Sequence, residues 1–218
     1  MEFLWFGWSG YPVIAFPAEM GRFYDHENAG LLTRLERKLD DGFLQIVCVD
    51  SNDAHSWFND SIAPSERGRH HEAYVSYVRD EIVPYVRERA RREALGTFGC
   101  GFGAYHAANI AVRHPDVVTR AVCFDGRYDP RRFVDGYWSE TERRNAPLDR
   151  IAAFDADEAA HSRNVAWAIL AENNGHADDG RALARTLAEK RIPAHLEIHA
   201  PVAGGDRMRW NEAAVRLI

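Results

Sequence analysis

The feature that most constrains this chain is a regular alternation of short apolar runs with longer stretches of helical periodicity. Candidate strands lie at Phe3–Trp8, Val13–Phe16, Leu44–Val49, Gly96–Cys100, Arg120–Phe124, Trp167–Ala171 and His195–His199. Candidate helices cover Leu31–Leu39, His71–Arg92, Gly103–His114, Ala177–Lys190 and Arg209–Leu217. Inner runs such as LQIVCV and RAVCF are apolar almost throughout, as strands are when helices cover both faces of a sheet. The alternation predicts an α/β fold with a mostly parallel, doubly wound sheet. Ser9-Gly10 joins the first two runs, which predicts an antiparallel N-terminal hairpin at the sheet edge. Pro84 falls inside the longest helical pattern, whose apolar face is Tyr74, Tyr77, Val78, Ile82 and Tyr85. A proline there removes a backbone donor, so a kink or break is expected near Glu81–Val83. Residues Tyr128–Asn164 are the least regular and are expected to form loop and short helix over one end of the sheet.

The chain has 218 residues, enough for one domain spanning 1–218 with a substantial core. A net charge of −6 argues against nucleic acid or an anionic membrane as partner, since both are bound by clustered Lys and Arg. The basic stretch Arg87–Arg92 is interrupted by Glu88 and followed by Glu93, and reads as a solvated helix face. Three cysteines, Cys48, Cys100 and Cys123, are too few and too widely spaced for a disulfide framework or a zinc site. They read as reduced, buried thiols of a cytoplasmic protein. The apolar start, MEFLWFGWSGYPVIAF, has no basic leader or cleavage site and contains Gly and Pro, so it reads as strands. No metal or cofactor motif stands out, and assembly into a homo-oligomer is left open.

The most informative segment is Thr97-Phe98-Gly99-Cys100-Gly101-Phe102-Gly103, which runs from a strand directly into a helix. In α/β-hydrolases this junction is the nucleophile elbow, G-x-S-x-G, whose strained central residue projects its side chain above the sheet. Gly99 and Gly103 have the flanking spacing, and Gly101 holds the centre. Glycine has no hydroxyl to activate, so no acyl-enzyme can form there. A phosphate-loop reading is weak, because no Lys-Ser/Thr follows and G-x-G-x-x-G is incomplete.

Several further segments resemble the bacterial putative-esterase family of the α/β-hydrolase superfamily, related to the esterase D type. They are Tyr11-Pro12-Val13, Phe16-Pro17, Gly21-Arg22-Phe23, Val49-Asp50-Ser51, Ser56-Trp57, Ala63-Pro64-Ser65-Glu66-Arg67, Tyr74 to Pro84, Ala104-Tyr105-His106-Ala107-Ala108-Asn109, His114-Pro115-Asp116, and Gly126 with Tyr128 and Asp129. The resemblance implies a single-domain α/β-hydrolase sandwich. It also places the triad acid near Glu172-Asn173-Asn174, at Asn174, and the triad histidine at Gly205, where the family tends to show His-Asp-Trp-Pro-x-Trp. Asp206 and Trp210 then keep their places. Gly101, Asn174 and Gly205 together form a degenerate triad.

Other candidates have plainer readings. Cys100 precedes the apex by one residue and should turn toward the helix–strand contact. Asp50-Ser51-Asn52-Asp53, with His55, reads as turn chemistry, and His70-His71 as capping or surface residues. His106 is expected to pack or to line the pocket. An oxyanion site would use the Phe102 amide at the helix start and a second amide from Ala18-Glu19-Met20, favouring a small carbonyl or carboxylate ligand. Two functions follow: a non-hydrolytic pseudoenzyme that binds a ligand or acts as a scaffold, or an enzyme using other acid–base groups of the same cleft, such as His106 with Asp125 or Tyr128, on a carbonyl or ester-like molecule.

Overall fold

The computed structural model describes residues 1–173, 177–201 and 206–218. Its strands are β1 (Phe3–Phe6), β2 (Tyr11–Phe16), β3 (Leu44–Val49), β4 (Leu95–Cys100), β5 (Val118–Phe124), β6 (Ala166–Glu172) and β7 (Ala194–His199). The helices are α1 (Asp25–Asn28), α2 (Leu31–Asp40), α3 (Pro64–Tyr77), α4 (Val83–Ala90), α5 (Phe102–Arg113), α6 (Glu140–Arg144), α7 (Pro147–Ala152), α8 (Ala156–Ser162), α9 (Ala177–Glu189) and α10 (Asp206–Leu217). The strands join in the order β1-β3-β2-β4-β5-β6-β7, parallel except for β1.

The expected hairpin is not formed. β1 does run antiparallel at the edge, but its partner is β3, which lies between β1 and β2. The chain turns at Ser9-Gly10 past the start of β3, where the Tyr11 amide donates to the Phe43 carbonyl at 2.9 Å and the Gln45 side-chain amide donates to the Gly10 carbonyl at 3.2 Å. Every residue of β3 is buried, with the one polar side chain, Gln45, satisfied by Gly10, whereas β1 is only half-buried along its length, so β3 takes the inner place and β1 the edge.

Period-two alternation divides each inner strand between two cores. Ile14, Phe16, Val47 and Val49 face α3, α4 and α5, while Val13, Ala15, Ile46 and Cys48 face α2 and α10. On α2 the inward stripe is Leu31, Leu32, Leu35 and Leu39, the three- and four-residue steps of an amphipathic helix. The long helix starts earlier than its sequence pattern suggests, with Pro64 in its first turn, and the expected interruption is present. Val78–Ile82 form a widened π turn ahead of α4, which accommodates the missing amide hydrogen of Pro84. Residues between β5 and β6 form the short helices α6 to α8, as expected for that stretch.

The contact that positions the site is between β4, α5 and the end of β2. A methyl on Gly99 would lie 2.2 Å from the Gly103 carbonyl carbon, and one on Gly103 would lie 2.4 Å from the carbonyl oxygens of Phe16 and Pro17. Only hydrogen fits between these backbones, so the strand–helix turn is held tight from both sides. Gly103→Ala is therefore expected to cost about 3 kcal/mol, the upper part of the usual overpacking range, as read from the midpoint of urea unfolding.

Candidate active site

At the turn between β4 and α5, Gly101 has φ 57° and ψ −122°, a conformation that L side chains rarely adopt. Its amide donates to the Phe124 carbonyl at 2.8 Å, anchoring the turn to the end of β5. A β-carbon built on Gly101 would meet no atom within 4 Å, whereas its glycine neighbours are tightly enclosed. The turn thus has the geometry of a nucleophile elbow, with open space where a side chain would project. Phe102 begins α5, where amides lack helical acceptors.

The loop after β2 approaches this turn through Gly103 and is fixed by the chain that follows β3. Met20, with φ 53°, gives its amide to the Asp53 carboxylate at 3.0 Å. The Phe23 amide donates to Asp50 at 3.1 Å, and the Ser51 hydroxyl donates to the Gly21 carbonyl at 2.8 Å. The run from Asp50 to Asp53 therefore ties two loops together, a role that the simple turn reading overlooked. Of the three candidate oxyanion-loop residues, Met20 has its amide occupied by Asp53, while Ala18 and Glu19 are exposed.

Asp53 is fully buried and is the partner of His106, whose Nε2 lies 2.8 Å from its second carboxylate oxygen. His106 is enclosed by the rings of Phe16, Tyr74, Phe102, Tyr105 and His71 and is 2% exposed. The proposed alternative pairs, His106 with Asp125 or Tyr128, are not assembled. Asp125 has φ 51° at the end of β5 and accepts the Glu172 amide at 3.1 Å, joining the ends of β5 and β6. Tyr128 is buried in the core beside α5, its ring over Gly126 and its hydroxyl facing the Cys123 thiol, and burial pushes its phenol well above the ordinary value.

His71 also departs from the capping or surface reading, being fully buried. Tyr105, Asn109 and Arg113 recur at four-residue steps on α5 and present one polar stripe to α3 and to the segment after α6. Tyr105 donates its hydroxyl proton to the Asn145 carbonyl at 2.6 Å, and its oxygen lies 3.1 Å from His71 Nε2. Among the described residues, His71 Nδ1 is buried without a hydrogen-bond partner. Arg113 pairs with Glu72 through two contacts of 2.7 Å, and Asn145 donates to the same carboxylate at 2.7 Å. This network fastens the irregular segment to the helix that follows the elbow.

Cys100 is half-buried beside a cavity of about 360 Å³ that Ala18, His26, Phe98 and Trp210 also line. Burial pushes its thiol up to about 12, with the nearby Asp125 carboxylate adding to the effect. At neutral pH it is therefore a thiol rather than a nucleophilic thiolate. Cys48 and Cys123 are buried and unpaired as well. Asn174 and Gly205 lie outside the described residues, and among the described residues no group of His, Cys, Asp and Glu is arranged to hold a metal. No described helix is long and apolar enough to cross a membrane.

The glycine-flanked elbow at the end of a central parallel strand, within a sheet bearing an antiparallel edge strand, defines an α/β-hydrolase. Solved structures agree on the fold. A ferulic acid esterase aligns with TM-score 0.72 at 14% identity, covering 95% of this chain and 83% of its own. The S-formylglutathione hydrolase of Agrobacterium tumefaciens aligns with TM-score 0.64 at 17% identity, covering 96% and 85%. MPT51 (FbpC1) of Mycobacterium tuberculosis aligns with TM-score 0.64 at 14% identity, covering 98% and 89%. No match is found among curated proteins. The family described as "Putative esterase" matches residues 28–217, and this chain belongs to that family.

Two expectations follow from the buried groups. His106→Ala strands the Asp53 carboxylate in the interior and should cost about 3–5 kcal/mol, the usual penalty for breaking a buried pair, measured by urea unfolding. Desolvation also lowers the pKa of His26 and holds that of His71 well below the ordinary imidazole value. The unfolded chain takes up protons at these two positions below about pH 6.5, while the folded chain resists them. Stability should thus be complete above that pH and fall as pH drops through and below it, provided the paired carboxylates are still ionised. Replacing His71 with Phe should flatten this dependence in thermal unfolding between pH 7 and 5.

Proposed function

We propose that this member of the esterase family is a non-hydrolytic protein that binds a small ligand or serves as a scaffold. The observation that carries the reading is Gly101 at the elbow apex, with the backbone geometry of a nucleophile position and no hydroxyl to offer. Serine hydrolysis needs an attacking oxygen and a base within hydrogen-bond reach of it. The imidazole following the elbow, His106, is committed to Asp53 inside an aromatic enclosure and is not free to serve as that base. Asn174 and Gly205, at the positions that the family resemblance assigns to acid and histidine, complete a consistent set of replacements. Such a set removes covalent catalysis while leaving the fold and the backbone donors beside the apex in place.

The ferulic acid esterase and S-formylglutathione hydrolase names belong to structures that share the fold, and are compatible with a pocket of esterase ancestry. The helix start at Phe102 favours negative charge on a bound group, which supports a carbonyl or carboxylate ligand.

The test is restoration. Space above Gly101 admits a serine side chain, at a backbone strain of about 1–3 kcal/mol. Gly101→Ser combined with Gly205→His is expected to gain hydrolysis of p-nitrophenyl acetate and butyrate. The unaltered chain should show no turnover above an unfolded control. Saturable turnover by the unaltered chain, insensitive to any change at Gly101, would overturn the reading.

A further inference from the structure

A cleft of about 640 Å³ opens beside the loop that follows β2, with Glu19, Phe58, Asp60, Arg67, Phe133 and Asp135 in its lining. It adjoins the elbow through aromatic contacts. Phe58 meets Phe102, the residue after the apex, edge-on at 5.0 Å, and meets Phe133 at 4.7 Å.

Arg67, near the start of α3, is the unusual member of this lining. A guanidinium is costly to bury unless it is paired, yet Arg67 is only 5% exposed. Its Nη1 donates to the Phe133 carbonyl at 2.8 Å and its Nε to the Ile62 carbonyl at 3.3 Å. These neutral acceptors fix the direction of the planar fork without cancelling its charge. Among the described residues, Nη2 has no hydrogen-bond acceptor. The countercharges are Asp60 at 3.4 Å and Asp135 at 3.3 Å, whose side chains are 91% and 66% exposed. Buried charge is thus balanced by two solvated carboxylates, which can leave when another anion takes their place, since the guanidinium is costly to leave unpaired.

We propose that this cleft binds a small aromatic carboxylate, with Arg67 receiving the carboxylate and the ring lying against Phe58. The guanidinium fork matches a planar carboxylate through two parallel hydrogen bonds. The two aspartates hold, from the solvent side, the place that a ligand carboxylate would take. Phe58, half-buried and packed on Phe102 and Phe133, supplies the apolar wall on which a flat ring packs, while Arg132 covers Phe133 at 4.6 Å from its centroid. The inference rests on the reading of the chain as a ligand binder and names the chemistry of its ligand.

Calorimetric titration of the full chain with benzoate, benzyl alcohol and benzylamine tests it. Benzoate should bind saturably and more tightly than either of the others. Arg67→Lys keeps the charge but loses the fork, and should weaken benzoate about tenfold or more, the loss expected for a charge-assisted hydrogen bond. The double variant Asp60→Asn with Asp135→Asn removes both countercharges of Arg67 and should tighten benzoate severalfold, since the ligand then meets no competitor. If Arg67→Lys fails to fold, the double variant decides alone. Benzylamine binding in preference to benzoate, or benzoate affinity indifferent to the aspartate changes, overturns the proposal. Turnover of p-nitrophenyl esters by the same unaltered preparation would instead sink the non-hydrolytic reading, so the two failures are separable.

Discussion

The close approach of β4 and α5 is the constraint on which the rest of the structure depends. Gly99 and Gly103 bring strand, helix and the end of β2 within backbone contact, and a single methyl at either position would collide with main-chain atoms. The turn between them is forced to be sharp, and its central residue must accept a positive φ. An ordinary enzyme of this fold tolerates the resulting strain because the side chain at that point reacts. In this chain a glycine occupies the position, which relieves that strain. On the proposed non-hydrolytic reading, the geometry outlasts the group it serves.

Around that turn, buried polar groups are devoted to positioning. Asp53 receives the Met20 amide and His106 at once, linking the loop after β2 to the helix after the elbow. Along α5, Tyr105, Asn109 and Arg113 fasten the segment after α6 by way of Asn145 and Glu72. Each group is satisfied mainly by neighbours from distant parts of the chain, so the network fixes the walls of the cleft. Side chains held this way fix the segments around the turn relative to one another.

Much of the architecture was legible in the sequence because burial on two faces leaves a simple signature. LQIVCV and RAVCF read as inner strands, and β3 and β5 lie inside the sheet. Pro84 marked the break in the long helix for a local reason, the missing amide hydrogen. Strand order was less accessible. Ser9-Gly10 has the chemistry of a hairpin turn, but nothing local states that β3, about thirty residues later, will be inserted between β1 and β2. The glycines at 99, 101 and 103 revealed the elbow, since their spacing matters more than their neighbours. The burial of Asp53 and His71 was not legible, because pairing with His106 and Tyr105 depends on tertiary contacts that leave no periodic trace. A hint existed for Asp53: it lies in the loop just past the carboxyl end of β3, the end of the strands where α/β folds gather their binding residues. Arg67 stood only as the end of a stretch that resembles the family, and its burial left no trace, since an arginine on a polar helix turn looks solvated until its surroundings are known.

The most direct test of the central claim, that no attacking oxygen stands at the elbow, is intact-mass analysis of the native chain after exposure to a fluorophosphonate. The account predicts an unchanged mass. A stoichiometric adduct on a serine, formed by the folded chain and lost on unfolding, would contradict it.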